Sequence, residues 1–336
     1  MPELSHQRDI GAEKISRGMQ SLAEYCRPFK GAANQWPAFP LATDERDRWW
    51  QDWFRAFDPS RRWHELRTVL PQLWIRPELG ASQSSSYQRL VLQGETPSNV
   101  DIEQALALKD PNAPSLSLVD HPCGPLPVLS FDNHNDFIAV VRCLAHRCEP
   151  ASLLPTVHAQ AVSGLIHWGL IREVSSNSRA QLLILHRAPY SSLAATSIPG
   201  TPTEEQWLKQ SQHWRLEHEL THIACRRLVD EMRLNLFDEL IADALGMIAA
   251  LGEFSADLFR RGLGLSADGL PCSDARVHVY ITNLGFADRL QASRLVLKRA
   301  AELETLLQRQ ALPSEPMALL RLLTRQRLDL PLMAMD

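Results

Sequence analysis

Two helix starts bracket a pair of histidines four residues apart, and this arrangement constrains the chain more than any other feature. Thr201-Pro202-Thr203-Glu204 reads as the first start, with Thr201 as N-cap, Pro202 at the first helical position and Glu204 closing a capping box. That helix is expected to run to about Arg233. Asn235 then caps a second helix with Asp238 in its first turn and an end near Gly252. His218 and His222 lie on the first helix, where positions i and i+4 share one face. Glu239 and Asp243 have the same spacing on the second. A tight turn near Leu234-Asn235 makes the helices antiparallel and brings Glu239 opposite the histidines. Such a pair can pack only if the carboxylates between the helices find partners, because burying one unpaired is costly.

Two imidazoles on one helix face can reach one metal ion. Zinc takes His nitrogen at ~2.0–2.1 Å, and a catalytic zinc has three protein ligands and one position left for water. Glu239 is the candidate third ligand, with Asp230, Glu231 and Asp238 as alternatives. Asp243 can accept the second ring N–H of a ligand histidine and so fix its tautomer. Glu219 projects beside the ion, where it can take a proton from an activated water.

His218-Glu219-Leu220-Thr221-His222 followed by Glu239-Leu240-Ile241-Ala242-Asp243 resembles the thermolysin-type gluzincins, zinc peptidases with an HExxH helix and a later Glu-x-x-x-Asp helix. The resemblance implies that His218, His222 and Glu239 bind Zn2+, that Glu219 is the general base, and that Asp243 supports a ligand from behind. It also implies that Gln181 to His186 is an edge strand holding an extended substrate. The interval from His222 to Glu239 is slightly shorter than that family usually has, which keeps the other third-ligand candidates open. The resemblance says nothing specific about residues 1–175.

Further on, His278 and Tyr280 alternate with apolar residues in Val277-His278-Val279-Tyr280-Ile281 and share one side if the segment is extended. Either could donate to an oxyanion, and Asp274 could orient His278. The segment is vaguely similar to the gluzincin motif that carries a catalytic histidine. His158 and His167 with Trp168 read as core or substrate-pocket residues. Cys143 and Cys148 around His146 could suggest a metal, with helix-core packing as the alternative.

The remaining periodicity predicts an α+β fold: a mixed α/β N-terminal half over residues 1–175 and a mostly helical, zincin-like catalytic half over 176–336. Asp44 to Phe57 is expected to be a helix burying Trp49, Trp50, Trp53, Phe54 and Phe57. Leu70 to Ile75, Tyr87 to Leu92 and Gln181 to His186 read as strands. Phe137 to Cys148, Val157 to Leu170, Ala287 to Gln310 and Pro316 to Leu328 read as helices. Ala188 to Thr203, rich in Pro, Ser and Thr, is the best boundary.

The 336 residues carry a net charge of -4 and no long Lys/Arg run, which argues against nucleic-acid binding by bulk charge. The sequence has no stretch of ~18 apolar residues to span a membrane, and Met1 to Asp9 does not read as a signal peptide. Six cysteines are too few to staple a chain of this size and fit reduced thiols in a cytoplasmic protein. The expected function is therefore zinc-dependent hydrolysis of a peptide or amide bond in a peptide or protein substrate. The alternative is a non-catalytic zincin-fold interaction or regulatory protein with a structural zinc. A di-metal carboxylate oxidase would need a second Glu-x-x-His unit to pair with Glu219-x-x-His222, and the sequence offers none.

Overall fold

The computed structural model describes residues 20–110 and 114–333. In chain order the helices and strands are α1 (Leu22–Tyr25), α2 (Glu45–Ala56), α3 (Arg62–Val69), α4 (Asn99–Glu103), β1 (Ser115–Val119), β2 (Leu126–Phe131), α5 (His134–Ala145), β3 (Ala159–Leu165), α6 (Trp168–Glu173) and β4 (Ala180–His186). They continue with α7 (Glu204–Val229), α8 (Leu236–Leu251), α9 (Ala256–Leu263), α10 (Val277–Ile281), α11 (Phe286–Gln308) and α12 (Pro316–Thr324). Residues 39–187 form one compact unit, and residues 20–38 with 188–333 form another. The fold is α+β with a helical C-terminal half.

The unit of residues 39–187 holds a four-stranded sheet in the order β1-β2-β4-β3. β2 and β4 run parallel, and β1 and β3 pair antiparallel on their outer sides. The inner strands are almost wholly buried, as continuous apolar runs in a parallel pair should be. β4 therefore has a partner on each side. The expectation that Gln181 to His186 is a free edge strand for substrate is wrong.

α2 begins at a reciprocal Asp44–Asp47 capping box and buries Trp49, Trp50, Trp53 and Phe54 in the main apolar cluster, with Phe57 packed against it. Two expected strands are helical turns instead: Pro71–Trp74 is 3-10 and Tyr87–Leu92 is π-helical. Short apolar runs do not distinguish a buried strand from a buried turn, and Pro71 at the first turn position presets a helical φ. The expected helix from Val157 to Leu170 is β3 followed by α6. Gly164, at φ 76°, carries a register irregularity in β3, and His167 caps α6. The Cys143 and Cys148 thiols point at the Ile75 and Gln72 carbonyls inside the core, in keeping with packing rather than metal binding.

In the other unit, α7 starts one turn-residue pair later than expected. Thr203 and Gln206 form the capping box, while Thr201 sits at φ 42°, outside the extended region an N-cap uses. α8 begins at Asn235, whose side chain accepts from the Phe237 and Asp238 N–H groups, and ends on left-handed Gly252. Gly246 lets α8 close onto α7: a Cβ there would lie 2.5 Å from Trp214 Cδ1 and 2.8 Å from its carbonyl oxygen. Among the described residues this unit has no strand, only isolated bridges. No helix among them is long and apolar enough to cross a membrane.

Candidate metal centre

α7 presents Trp214, His218 and His222 at four-residue intervals along one face, and α8 presents Asp238, Glu239 and Asp243 to them. The start of α8 is tied down by Tyr25, whose hydroxyl accepts the Leu236 N–H at 2.8 Å and whose carbonyl accepts from Asn235 Nδ2 at 3.2 Å and from Arg233. The loop before α7 contributes Tyr190. Its N–H donates to Ser211 Oγ at 3.0 Å, and Arg215 donates to the preceding Ala188 and Pro189 carbonyls.

His218 Nε2 and His222 Nε2 lie 3.1 Å apart. Glu239 Oε1 is 3.4 Å from His222 Nε2, and Oε2 is 3.6 Å from His218 Nε2. A tetrahedral ion with ligands at ~2.0–2.1 Å has ligand–ligand edges of about 3.3–3.4 Å, and the three separations bracket that value. His218, His222 and Glu239 are 6%, 8% and 2% exposed, so water alone does not balance this set.

The far sides of the rings bear on what these atoms can bind. His218 Nδ1 is 2.8 Å from Asp243 Oδ1, and His222 Nδ1 faces Asp238 Oδ1 at 3.3 Å. A carboxylate only accepts, so the ring proton belongs on Nδ1 and the lone pair on Nε2. Two lone pairs and a carboxylate then converge on one point. One proton shared between the rings relieves only the His–His contact. Burial pushes His222 toward the neutral form, but Asp238 and then Glu239 override it and hold its pKa well above the ordinary value, so a metal ion binding Nε2 would displace a proton from this ring. The carboxylates touching the set are Asp238, Glu239 and Asp243, and the Arg276 guanidinium faces two of them, Glu239 and Asp243. Arg233, which donates to the Arg27 and Tyr25 carbonyls, also adds positive charge near Asp238. Two imidazoles with one carboxylate are a zinc donor set.

Asp243 is the hub behind the site. Oδ1 accepts from Tyr190 Oη, from Trp214 Nε1 at 3.1 Å and from His218 Nδ1, while Oδ2 accepts from Arg276 Nη2 at 2.7 Å. Burial opposes its ionisation, but Arg276 and then His218 hold it well below the usual carboxylate range. Arg276 also donates to Glu239 Oε2 at 3.3 Å, Tyr190 Oη at 3.2 Å and Ser191 Oγ at 3.1 Å. Burial followed by Glu239 pushes the Tyr280 phenol far up, so Tyr280 stays protonated near that carboxylate.

The structure brings together His218, His222, Glu239, Asp243 and Tyr280. Of the alternative ligands, Asp238 lies behind His222, Glu231 pairs with Arg27, and Asp230 is the exposed left-handed cap of α7. Glu219 follows His218 on α7, is half-buried and makes no side-chain hydrogen bond among the described residues. His278 is not at the site. Its segment is helix α10 rather than strand, so residues 278 and 280 point ~200° apart instead of sharing a side. His278 is exposed, with Nε2 2.9 Å from the Cys272 carbonyl, and Asp274 is exposed as well. His167 is core: its ring lies edge-on to Trp49 and Trp50, with centroids 4.7 Å and 4.9 Å away.

Sequence reasoning missed Tyr190, Trp214 and Arg276. Trp214 had a signal, standing one helical turn before His218. Tyr190 and Arg276 had none, being brought in by loop and α10 geometry.

No curated protein matches this chain, and no solved structure does. A family model described as a family of unknown function matches residues 12–181 and again 176–335. Together these matches span nearly the whole sequence, and the chain belongs to that family, DUF7005.

Proposed function

We propose that this protein is a cytoplasmic zinc-dependent hydrolase that cleaves a peptide or amide bond, with the gluzincin-like arrangement as its working part. The observation that carries the reading is the convergence of His218 Nε2, His222 Nε2 and the Glu239 carboxylate at 3.1–3.6 Å, each ring backed by a carboxylate. The location is read from the six free cysteines, five of them buried. Zinc held by these residues would supply Lewis acidity, acidifying water and polarising a carbonyl.

The chain's own residues do the rest. Asp243 accepts the His218 Nδ1 proton and Asp238 faces His222 Nδ1 from behind, which favours Nε2 as the ligand atom of each ring. Arg276 fixes the Glu239 carboxylate by donating to it. The Glu219 carboxylate takes a proton from the attacking water and delivers it to the leaving amine. Tyr280, the remaining member of the expected donor pair, is the candidate to hydrogen-bond the developing oxyanion.

One feature favours the second reading, a structural zinc in a non-catalytic protein. Among the described residues, the unit holding the site offers no strand to line up an extended peptide. A single substitution separates the two readings. Glu219→Gln should fold, keep zinc at wild-type occupancy and cleave a peptide library at least ~10²-fold more slowly by mass spectrometry. Cleavage at the wild-type rate would remove Glu219 as the base. No cleavage by the zinc-loaded wild type would leave the structural reading standing.

A further inference from the structure

The unit of residues 39–187 contains its own group of metal-ligating side chains: His134, His158 and His186. They come from three different elements. His134 is the first residue of α5, His158 immediately precedes β3, and His186 is the last residue of β4. The sheet brings them together. Phe131, at the end of β2, pairs in register with His186, and α5 begins just beyond it. The His186 N–H donates to the His158 carbonyl at 2.9 Å, which places that residue beside the same strand end. The carboxyl ends of neighbouring parallel strands are where open α/β sheets build ligand sites.

Each ring offers one nitrogen, and the three nitrogens lie within 4.8 Å of one another. His158 Nδ1 and His186 Nδ1 are 2.9 Å apart. The His134 ring centroid stands 5.4 Å from that of His158 and 4.9 Å from that of His186. Phe137 forms an apolar floor, parallel to the His134 ring and 5.9 Å from both His134 and His186. His134 and His158 are half-buried and His186 is buried, so the rings are held yet reachable from solvent. A hydrogen bond between His158 and His186 explains that pair alone. It leaves unexplained why α5 delivers a third imidazole, whose contact with the Val157 carbonyl is a long 3.4 Å.

We propose that His134, His158 and His186 form a second metal site that binds one divalent transition-metal ion of the zinc type. Three neutral imidazoles suit zinc, copper or nickel and disfavour calcium and magnesium, which want oxygen. Three histidines also leave a further coordination position open. Binding replaces the proton between the His158 and His186 nitrogens with the ion, so a proton is released on loading.

The test is zinc stoichiometry after equilibrium dialysis against micromolar free zinc, with the fold checked by circular dichroism. The wild type should hold two zinc ions per chain. His134→Ala/His186→Ala should hold one, His218→Ala/His222→Ala should hold one, and the quadruple variant none. Loss in the second double variant alone would overturn this proposal and leave the other site intact; loss in the first alone would do the reverse. If His134→Ala/His186→Ala does not fold, cobalt is added to His218→Ala/His222→Ala, whose remaining candidate ligands are these three histidines. A visible d–d band that the single variant His158→Gln abolishes supports the site, and a featureless spectrum overturns it.

Discussion

Asp243→Asn perturbs the centre without changing its shape. Asp243 Oδ1 accepts from Tyr190, Trp214 and His218, and an asparagine oxygen in the same place can keep these bonds in weaker, neutral form. The other side cannot be kept. Oδ2 accepts from Arg276 Nη2 at 2.7 Å, and the amide NH2 that replaces it is a donor facing a donor. Breaking a buried ion pair by removing one partner costs about 3–5 kcal/mol. Glu239 still faces Arg276 at 3.3 Å, so the loss should fall at the low end, about 3 kcal/mol. His218 loses the charged acceptor that makes its Nε2 a strong donor, and zinc affinity should drop ~10–100-fold. Urea unfolding of the metal-free protein reads the first quantity, and competition with a chromophoric zinc chelator reads the second. Unchanged stability would refute the assigned role of the Arg276 pair. Unchanged affinity would refute the claim that Asp243 acts on the metal through His218.

Three further predictions concern residues near and far from the centre. Burial pushes the His167 pKa down to about 3, while the unfolded chain titrates near ~6.5. The unfolded state therefore binds the proton first, and stability should fall as pH drops from ~6.5 toward 3, by up to about 4 kcal/mol at ~1.36 kcal/mol per unit. His167→Asn keeps a capping side chain but cannot titrate, so denaturation midpoints across that range should lose this slope. Tyr280→Phe should retain zinc while turnover falls ~10²–10³-fold if the phenol meets an oxyanion. If zinc affinity falls instead, Tyr280 only positions Glu239. His278→Ala, at an exposed site, should leave both unchanged and move stability by no more than ~0.5 kcal/mol.

The parts of the centre that were legible in the sequence are those set by local helix geometry. The four-residue spacing of His218 and His222, the Asn235 cap and the Glu239/Asp243 pair follow from helix periodicity, and the structure keeps all of them. What was not legible depends on distant contacts. Tyr190 sits in a Pro/Ser/Thr-rich stretch that reads only as a boundary, with its orientation set by Ser211 and Arg215 far along the chain. Arg276 stands beside a segment whose alternating Val277, Val279 and Ile281 imitate a half-buried strand. Burial of Val277 and Ile281, one turn apart, is equally satisfied by a helical turn. The same ambiguity turned Val157 to Leu170 into a helix on paper, although residues 159–165 are paired along β4. His134, His158 and His186 are scattered in sequence, and only the sheet register gathers them.

The central claim is that His218, His222 and Glu239 hold one zinc ion. Anomalous diffraction at the zinc edge tests it most directly, using crystals of the wild-type protein equilibrated with zinc. The account predicts a peak ~2.0–2.1 Å from His218 Nε2, His222 Nε2 and a Glu239 carboxylate oxygen. Zinc-equilibrated crystals with no anomalous peak among these three residues would contradict it.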